Sequence, residues 1–201
     1  YQATQEARLE TFGPRWLPEL SVWDELQNWW LSHPGRANTP NWDIACGCTI
    51  EGSPGLVLVE AKANWPELTT TGKSLARDAS TNSQENHERI SAAVEEASRG
   101  WKRINPGVSL SVDHHYQLAN RLAFAWKLAT LGIPVVLVYL GFIGDDGIRD
   151  AGEPFATETD WKEAFRDYSS GILARELLDQ RCEFNSTPLW VQLRSRPVVE
   201  S

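Results

Sequence analysis

Residues 41–64 constrain the fold more than any other stretch of this chain. Two runs with β character, 41–50 and 56–64, flank Glu51-Gly52-Ser53-Pro54-Gly55, a pattern that predicts a hairpin. Period-2 alternation puts Ile44, Cys46, Cys48 and Ile50 on one face of the first strand, and Val57, Val59 and Ala61 on one face of the second. The opposite face of the second strand carries Leu56 and Leu58, and then Glu60 and Lys62. Burying charge at the end of an apolar strand costs several kcal/mol per ion unless a partner or metal offsets it. A site is therefore expected here.

The register decides whether the charges meet. A four-residue loop over 51–54 sets Ile50 opposite Gly55, Ala45 opposite Glu60 and Asp43 opposite Lys62. Opposed residues share a face, so Asp43, Glu60 and Lys62 converge while the Ile/Cys/Val face goes to the core. A slip of one residue would send Asp43 to the other side.

At 201 residues and 22.6 kDa the chain is expected to be a single domain, 1–201, with a full core. Hydrophobic content of 41% and charged content of 23% suit a globular protein. The net charge of −8 argues against a general nucleic-acid coat protein, because phosphate binding draws on Lys and Arg. It leaves room for an enzyme that bridges carboxylates to phosphate through a metal. Three cysteines form no disulfide framework and Cys46-x-Cys48 lacks a zinc partner pair, so small buried thiols in a reducing compartment are expected. No run of 18 or more apolar residues and no signal peptide are present, which predicts a cytoplasmic protein without membrane association. A chain that lacks Met and starts at Tyr1 is expected to be trimmed at its N-terminus. Most of the ten Trp are expected in the core, with a Trp-rich surface as a place for a homodimer or protein partner.

Helices are predicted over 17–32, 84–103 and 113–131. Val22, Trp23, Leu26, Trp29 and Trp30 form the first apolar stripe; Glu19 falls inside it, whereas Glu25 points about 100° away. The second buries Ile90, Val94, Ala97 and Trp101. The third is apolar on two faces, Leu118/Leu122/Ala125/Ala129 and Phe124/Leu128/Leu131, so it packs on both sides. Its polar first turns, Tyr116-Gln117-x-x-Asn120-Arg121, then sit at a core edge or cleft. Between strand and helix, 65–84 reads as a long, mobile loop in which Lys73 and Arg77 are candidate phosphate contacts. Residues 133–142 form a continuous apolar strand expected to be buried on both faces. Residues 161–168 and 171–178 are read as helical, and 189–193 as a short strand.

Asp43, a 16-residue spacer and Glu60-Ala61-Lys62 closing an apolar strand resemble the PD-(D/E)XK nuclease superfamily. Asn41-Trp42-Asp43 stands where that family has Pro-Asp, with Pro40 three residues before the Asp. The resemblance covers about 17–142. It implies an α/β, restriction-endonuclease-like αββαβ core whose central mixed sheet is flanked by helices, with 155–195 packed on it. It also implies hydrolysis of phosphodiester bonds, with DNA as the expected partner. Asp43, Glu60 and the Ala61 carbonyl would hold Mg²⁺, or Mn²⁺ in its place, with Glu19 a further ligand from the first helix. Lys62 would assist the attacking water and Gln117 would position it, while Asn120 and Arg121 would reach substrate. The same residues also allow a silent nuclease-fold assembly module or a phosphoesterase acting on small nucleotides.

Overall fold

The computed structural model describes residues 7–8, 20–34 and 38–198. Its elements are β1 (Ala7–Arg8), α1 (Leu20–Trp30), β2 (Asn41–Trp42), β3 (Ile44–Ile50), β4 (Ser53–Lys62), α2 (Thr81–Lys102), α3 (Tyr116–Thr130), β5 (Val135–Ile143), α4 (Glu158–Ser169), β6 (Arg181–Phe184) and β7 (Thr187–Pro197). The architecture is α/β, with a five-stranded mixed sheet in the order β3-β4-β5-β7-β6. β1 and β2 pair separately. Glu19 and the predicted helix start at 17–19 lie outside the described residues.

The hairpin is tighter than predicted. β3 and β4 pair antiparallel with Ile44 opposite Val59 and Ile50 opposite Ser53. The connection is therefore only Glu51-Gly52, both at positive φ (50° and 84°), as a two-residue primed turn requires. Loop length sets register, so the pairing is shifted by two residues from the expected one. A shift of two preserves parity. Asp43, one position beyond Ile44, thus falls opposite Glu60 rather than Lys62, and all three charged residues keep one face.

β4 and β5 run parallel, with Glu60 beside Tyr139 and Lys62 beside Gly141, and β5 and β7 run parallel in turn. The α2–α3 crossover connects β4 to β5, as a parallel pair demands. On one sheet face Leu56, Leu58, Glu60, Lys62, Leu137, Tyr139 and Val191 are all buried. α3 reaches that face through Gln117 and Arg121, which bond Glu60. α4 lies on the same face, with Phe165 4.7 Å from the Tyr139 ring and Trp161 against Gly141. α1 and α2 pack outside α3; the Trp30–Phe124 edge-to-face pair at 4.7 Å adds about 1 kcal/mol beyond its buried area. The predicted apolar stripes of α2 and α3 are buried, apart from a half-buried Leu131 at the end of α3.

The opposite sheet face corrects two expectations. Ile44 and Cys46 are exposed, and Cys48, Val57, Ala61, Val136, Val138, Leu140 and Trp190 are only half-buried. Ile50 and Val59 on this face are buried, but the rest of the Ile/Cys/Val face is open, and β5 is fully buried on one side alone. Each described helix packs on the Glu60 side, and an apolar run by itself does not distinguish one covered face from two. Of the three thiols only Cys182 is buried. Trp23, Trp30, Trp42, Trp101, Trp126 and Trp161 are core residues, whereas Trp65 is exposed.

Three further differences bear on the site. Residues 171–178 form no α-helix; a single 3₁₀ turn, Arg175–Leu177, occupies the segment. β7 spans eleven residues and is preceded by β6, so the short strand expected at 189–193 is the centre of a hairpin. The segment after β4 is tied down rather than loose. It opens with a 3₁₀ turn, Trp65–Glu67, capped by the Asn64 side chain. The Thr70 and Thr71 carbonyls then accept from the His115 and Tyr116 N–H groups, and the Lys73 N–H donates to Val112 at 2.7 Å. Gly72 permits this approach, because a Cβ there would lie 2.1 Å from the Asp113 carbonyl oxygen.

Candidate active site

Glu60 is the centre of the charged cluster and is only 3% exposed. Its Oε1 accepts from Lys62 Nζ and Gln117 Nε2, and its Oε2 from Arg121 Nε, each at 2.7 Å. The local sequence explains the convergence. Glu60 and Lys62 share a strand face by the two-residue period, and Gln117 and Arg121 share a helix face by the four-residue one. The first turn of α3 adds the positive end of its helix dipole. These donors offset the desolvation of a buried carboxylate, which would otherwise be prohibitive. Arg121 is itself fixed: its Nη1 donates to Asn120 Oδ1 at 2.7 Å and its guanidinium lies 4.9 Å from the Trp42 ring centre.

Asp43 closes the cluster from the sheet edge. Its N–H donates to the Val59 carbonyl, and its Oδ2 accepts the Ala61 N–H at 2.6 Å. That bond takes up the β4 N–H lying beyond the last β3 pair. Oδ1 has no hydrogen-bond partner among the described residues. Asp43 is exposed at the strand edge, and the desolvation of its carboxyl against the cluster raises its pKa, against the lowering effect of the Ala61 N–H; the negative charge of Glu60 adds to the rise, and Lys62 and Arg121 oppose it. An acid perturbed in this way inside a cleft is a functional candidate.

Two adjoining cavities meet at this cluster. One, about 340 Å³, is lined by Asp43, Glu60, Ala61 and Phe142, and the other, about 460 Å³, by Thr69, Thr71, Gly72, Tyr116 and Asn120. Lys62, Glu67 and Gln117 line both and form the divide between the lobes. The predicted residues Asp43, Glu60, Ala61, Lys62 and Gln117 are thus brought together. Asn120 and Arg121 line the second lobe but are buried and bonded within the cluster. Lys73 stands beside that lobe with its ammonium 5.1 Å from the Tyr116 ring centre, and burial lowers its pKa. Arg77 is exposed on the segment beyond and lines neither lobe.

Sequence reasoning missed Glu67 and Tyr139. Glu67 accepts from the Ala63 N–H at 2.9 Å and from Asn64 Nδ2 at 3.1 Å. The Asn64-x-x-Glu67 spacing, a helix-start pattern, was the available signal. Tyr139 sits beside Glu60 across β4 and β5, and its buried hydroxyl has no hydrogen-bond partner among the described residues. Desolvation, the nearby Tyr168 and the Glu60 charge push its pKa well above the usual phenol value. No sequence pattern marks that contact, which depends on the parallel register.

The donor set fits a hard divalent cation. Among the described residues no group of three His, Cys, Asp or Glu side chains is arranged to hold a metal. The first lobe offers three carboxylates, Asp43, Glu60 and a Glu67 already bonded to Ala63 and Asn64, together with the Ala61 backbone; Mg²⁺ is commonly held by one or two carboxylates with water and substrate phosphate completing its shell. Asp43 Oδ1 is the open acceptor. Both oxygens of Glu60 are engaged, Oε1 by Lys62 and Gln117 and Oε2 by Arg121. Among the described residues no helix is long and apolar enough to cross a membrane. No known protein family, curated protein or solved structure matches the chain.

Proposed function

We propose that this protein is a metal-dependent phosphodiesterase of the PD-(D/E)XK type, acting on nucleic acid, with DNA as the expected substrate. The observation that carries this reading is the meeting of Asp43, Glu60 and Lys62 on one face at the wall of a preformed cleft. The parity of the hairpin supports it, because the same residues in a slipped register would be separated.

In this reading Asp43, Glu60 and the Ala61 carbonyl hold Mg²⁺. The chemistry supplied there would be polarisation of a phosphoryl oxygen and a lowered pKa for an adjacent water. The chain's own residues do the rest. Gln117 donates its Nε2 to Glu60, which leaves its Oε1 as an acceptor that aims the attacking water. The Lys62 ammonium faces the cleft beside Glu60 and stabilises negative charge developing on the phosphate oxygens. Arg121 touches no reacting atom; it fixes the orientation of Glu60 from below. Three free cysteines suit a reducing compartment, and the cytoplasm is the proposed location.

A second reading also has an observation behind it. Both oxygens of Glu60 are already satisfied by Lys62, Gln117 and Arg121, as in a structural charge cluster of a silent fold member. One experiment separates the two. The parent and Lys62→Met proteins are incubated with linear, circular and single-stranded DNA in Mg²⁺ or Mn²⁺. Cleavage by the parent that falls by about a hundredfold or more in Lys62→Met, with metal affinity little changed, supports the enzyme. Intact DNA in all three forms overturns it and favours the structural cluster.

A further inference from the structure

The second lobe has no role in holding metal, yet it is the more elaborately built of the two. Its outer wall is the Thr69–Gly72 segment, fixed by backbone hydrogen bonds to 112–116 and by a close approach that only glycine permits. Its inner wall is the first turn of α3, where the half-buried Tyr116 lines the lobe while packing on the core. Thr69 and Thr71 stand exposed at its rim and offer hydroxyl donors and acceptors. Lys73 is half-buried beside it, holds no carboxylate among the described residues, and has its ammonium at the Tyr116 ring. A cation whose pKa burial has lowered gains most from an anionic ligand.

Charge limits what such a site accepts. Duplex binding commonly draws on six to ten phosphate contacts, roughly, each from a free cation. Here Lys62 and Arg121 are bonded to Glu60, the chain carries a net charge of −8, and among the described residues Lys73 is the cation at the cleft that holds no carboxylate. A lobe of about 460 Å³ is the size of a small-ligand pocket rather than a groove for a double helix. Single strands need fewer cations, because each unstacked base gains energy from an aromatic surface.

We propose that the second lobe is a subsite for one unstacked nucleotide, its base against Tyr116 and its phosphate towards Lys73, so that the substrate enters as a single strand or frayed end. The assignment rests on the nuclease reading for what lies in the first lobe, but not for binding in the second. Binding is therefore measured without divalent metal. A short fluorescent oligothymidylate, the same sequence in a blunt hairpin duplex, and thymidine monophosphate are titrated by anisotropy or calorimetry against the full chain in EDTA.

Single-stranded probe is expected to bind about tenfold or more tightly than the duplex. Thr71→Trp, a rim substitution that fills the lobe without touching the core, is expected to weaken binding about tenfold, and Tyr116→Ala similarly. Arg99→Ala, on the exposed surface of α2 and lining neither lobe, is expected to leave metal-free binding within about twofold. Circular dichroism melts confirm that each variant is folded. Thymidine monophosphate competing with the oligomer identifies a mononucleotide as a sufficient ligand and supports the subsite. Duplex bound as well as single strand, or single-strand affinity unmoved by Thr71→Trp, overturns it. If single-strand binding behaves as expected while no DNA is cleaved in metal, the nuclease reading fails and the subsite stands.

Discussion

Arg121→Met tests whether the cluster is held together from beneath. The substitution keeps an unbranched apolar stem but removes the Nε–Oε2 bond to Glu60, the Nη1 bond to Asn120 and the contact with Trp42. Removing one partner of a buried ion pair costs about 3–5 kcal/mol when the other charge is left uncompensated. Glu60 keeps Lys62 and Gln117, which places the cost at the lower end. Loss of the desolvated stacking on Trp42 adds on the order of 1 kcal/mol. The expected loss is therefore about 4 kcal/mol. In urea, with a slope of about 2 kcal/mol/M, it lowers the midpoint by about 2 M at unchanged slope. The exposed Arg99–Glu95 pair provides the internal control, because Arg99→Ala should cost about 0.5 kcal/mol or less. Adding Glu60→Gln to Arg121→Met should recover part of the loss, since the carboxylate no longer needs its cation. An Arg121→Met protein as stable as Arg99→Ala would refute the reasoning, showing that Glu60 does not depend on the charge beneath it.

The other predictions concern the elements around the cluster. Gly72→Ala should cost about 1–3 kcal/mol and loosen the 69–73 segment, seen as faster amide exchange at Tyr116, because the new Cβ meets the Asp113 carbonyl; unchanged exchange would show that the segment can shift freely. Tyr139→Phe should leave the melting temperature unchanged or raise it, since the hydroxyl it removes is buried without a partner among the described residues; a loss above about 1 kcal/mol would show that the hydroxyl is satisfied in solution. Asp43 has a folded-state pKa above its ordinary value of 3.8, so its ionisation opposes folding, and the penalty grows as pH rises through the raised value. Asp43→Asn should accordingly be more stable than the parent at neutral pH, with the gap closing as pH falls towards 3.8. A gap of the opposite sign, or one that widens in acid, would contradict the assignment.

The hairpin, the three long helices and the apolar β5 run were legible because each carries its own period. Parity was legible too: Asp43, Glu60 and Lys62 share a face whether the turn has two residues or four. The register itself was not, because Glu51-Gly52 and the longer Glu51–Pro54 loop are both chemically reasonable turns, and the structure adopts the shorter one. Which face of β5 would be covered was also hidden, since Val, Leu and Tyr alternate without a polar residue to mark the open side. Gln117 and Arg121 stood out as polar residues on an otherwise apolar helix, but their common partner Glu60 lies 57 and 61 residues away. Contacts at that separation depend on topology rather than on local pattern. The 65–84 segment looked mobile because its backbone bonds reach 112–116, again beyond any local signal.

The account stands or falls on whether Asp43 and Glu60 hold a divalent cation. The most direct measurement is calorimetric titration of Mn²⁺ and then Mg²⁺ into the full chain, with Asp43→Ala beside it. A saturable heat is expected for the parent, lost in Asp43→Ala while that variant keeps its fold. A parent protein that takes up neither ion at millimolar concentration would contradict it, and would leave the carboxylates and their cations as a structural cluster.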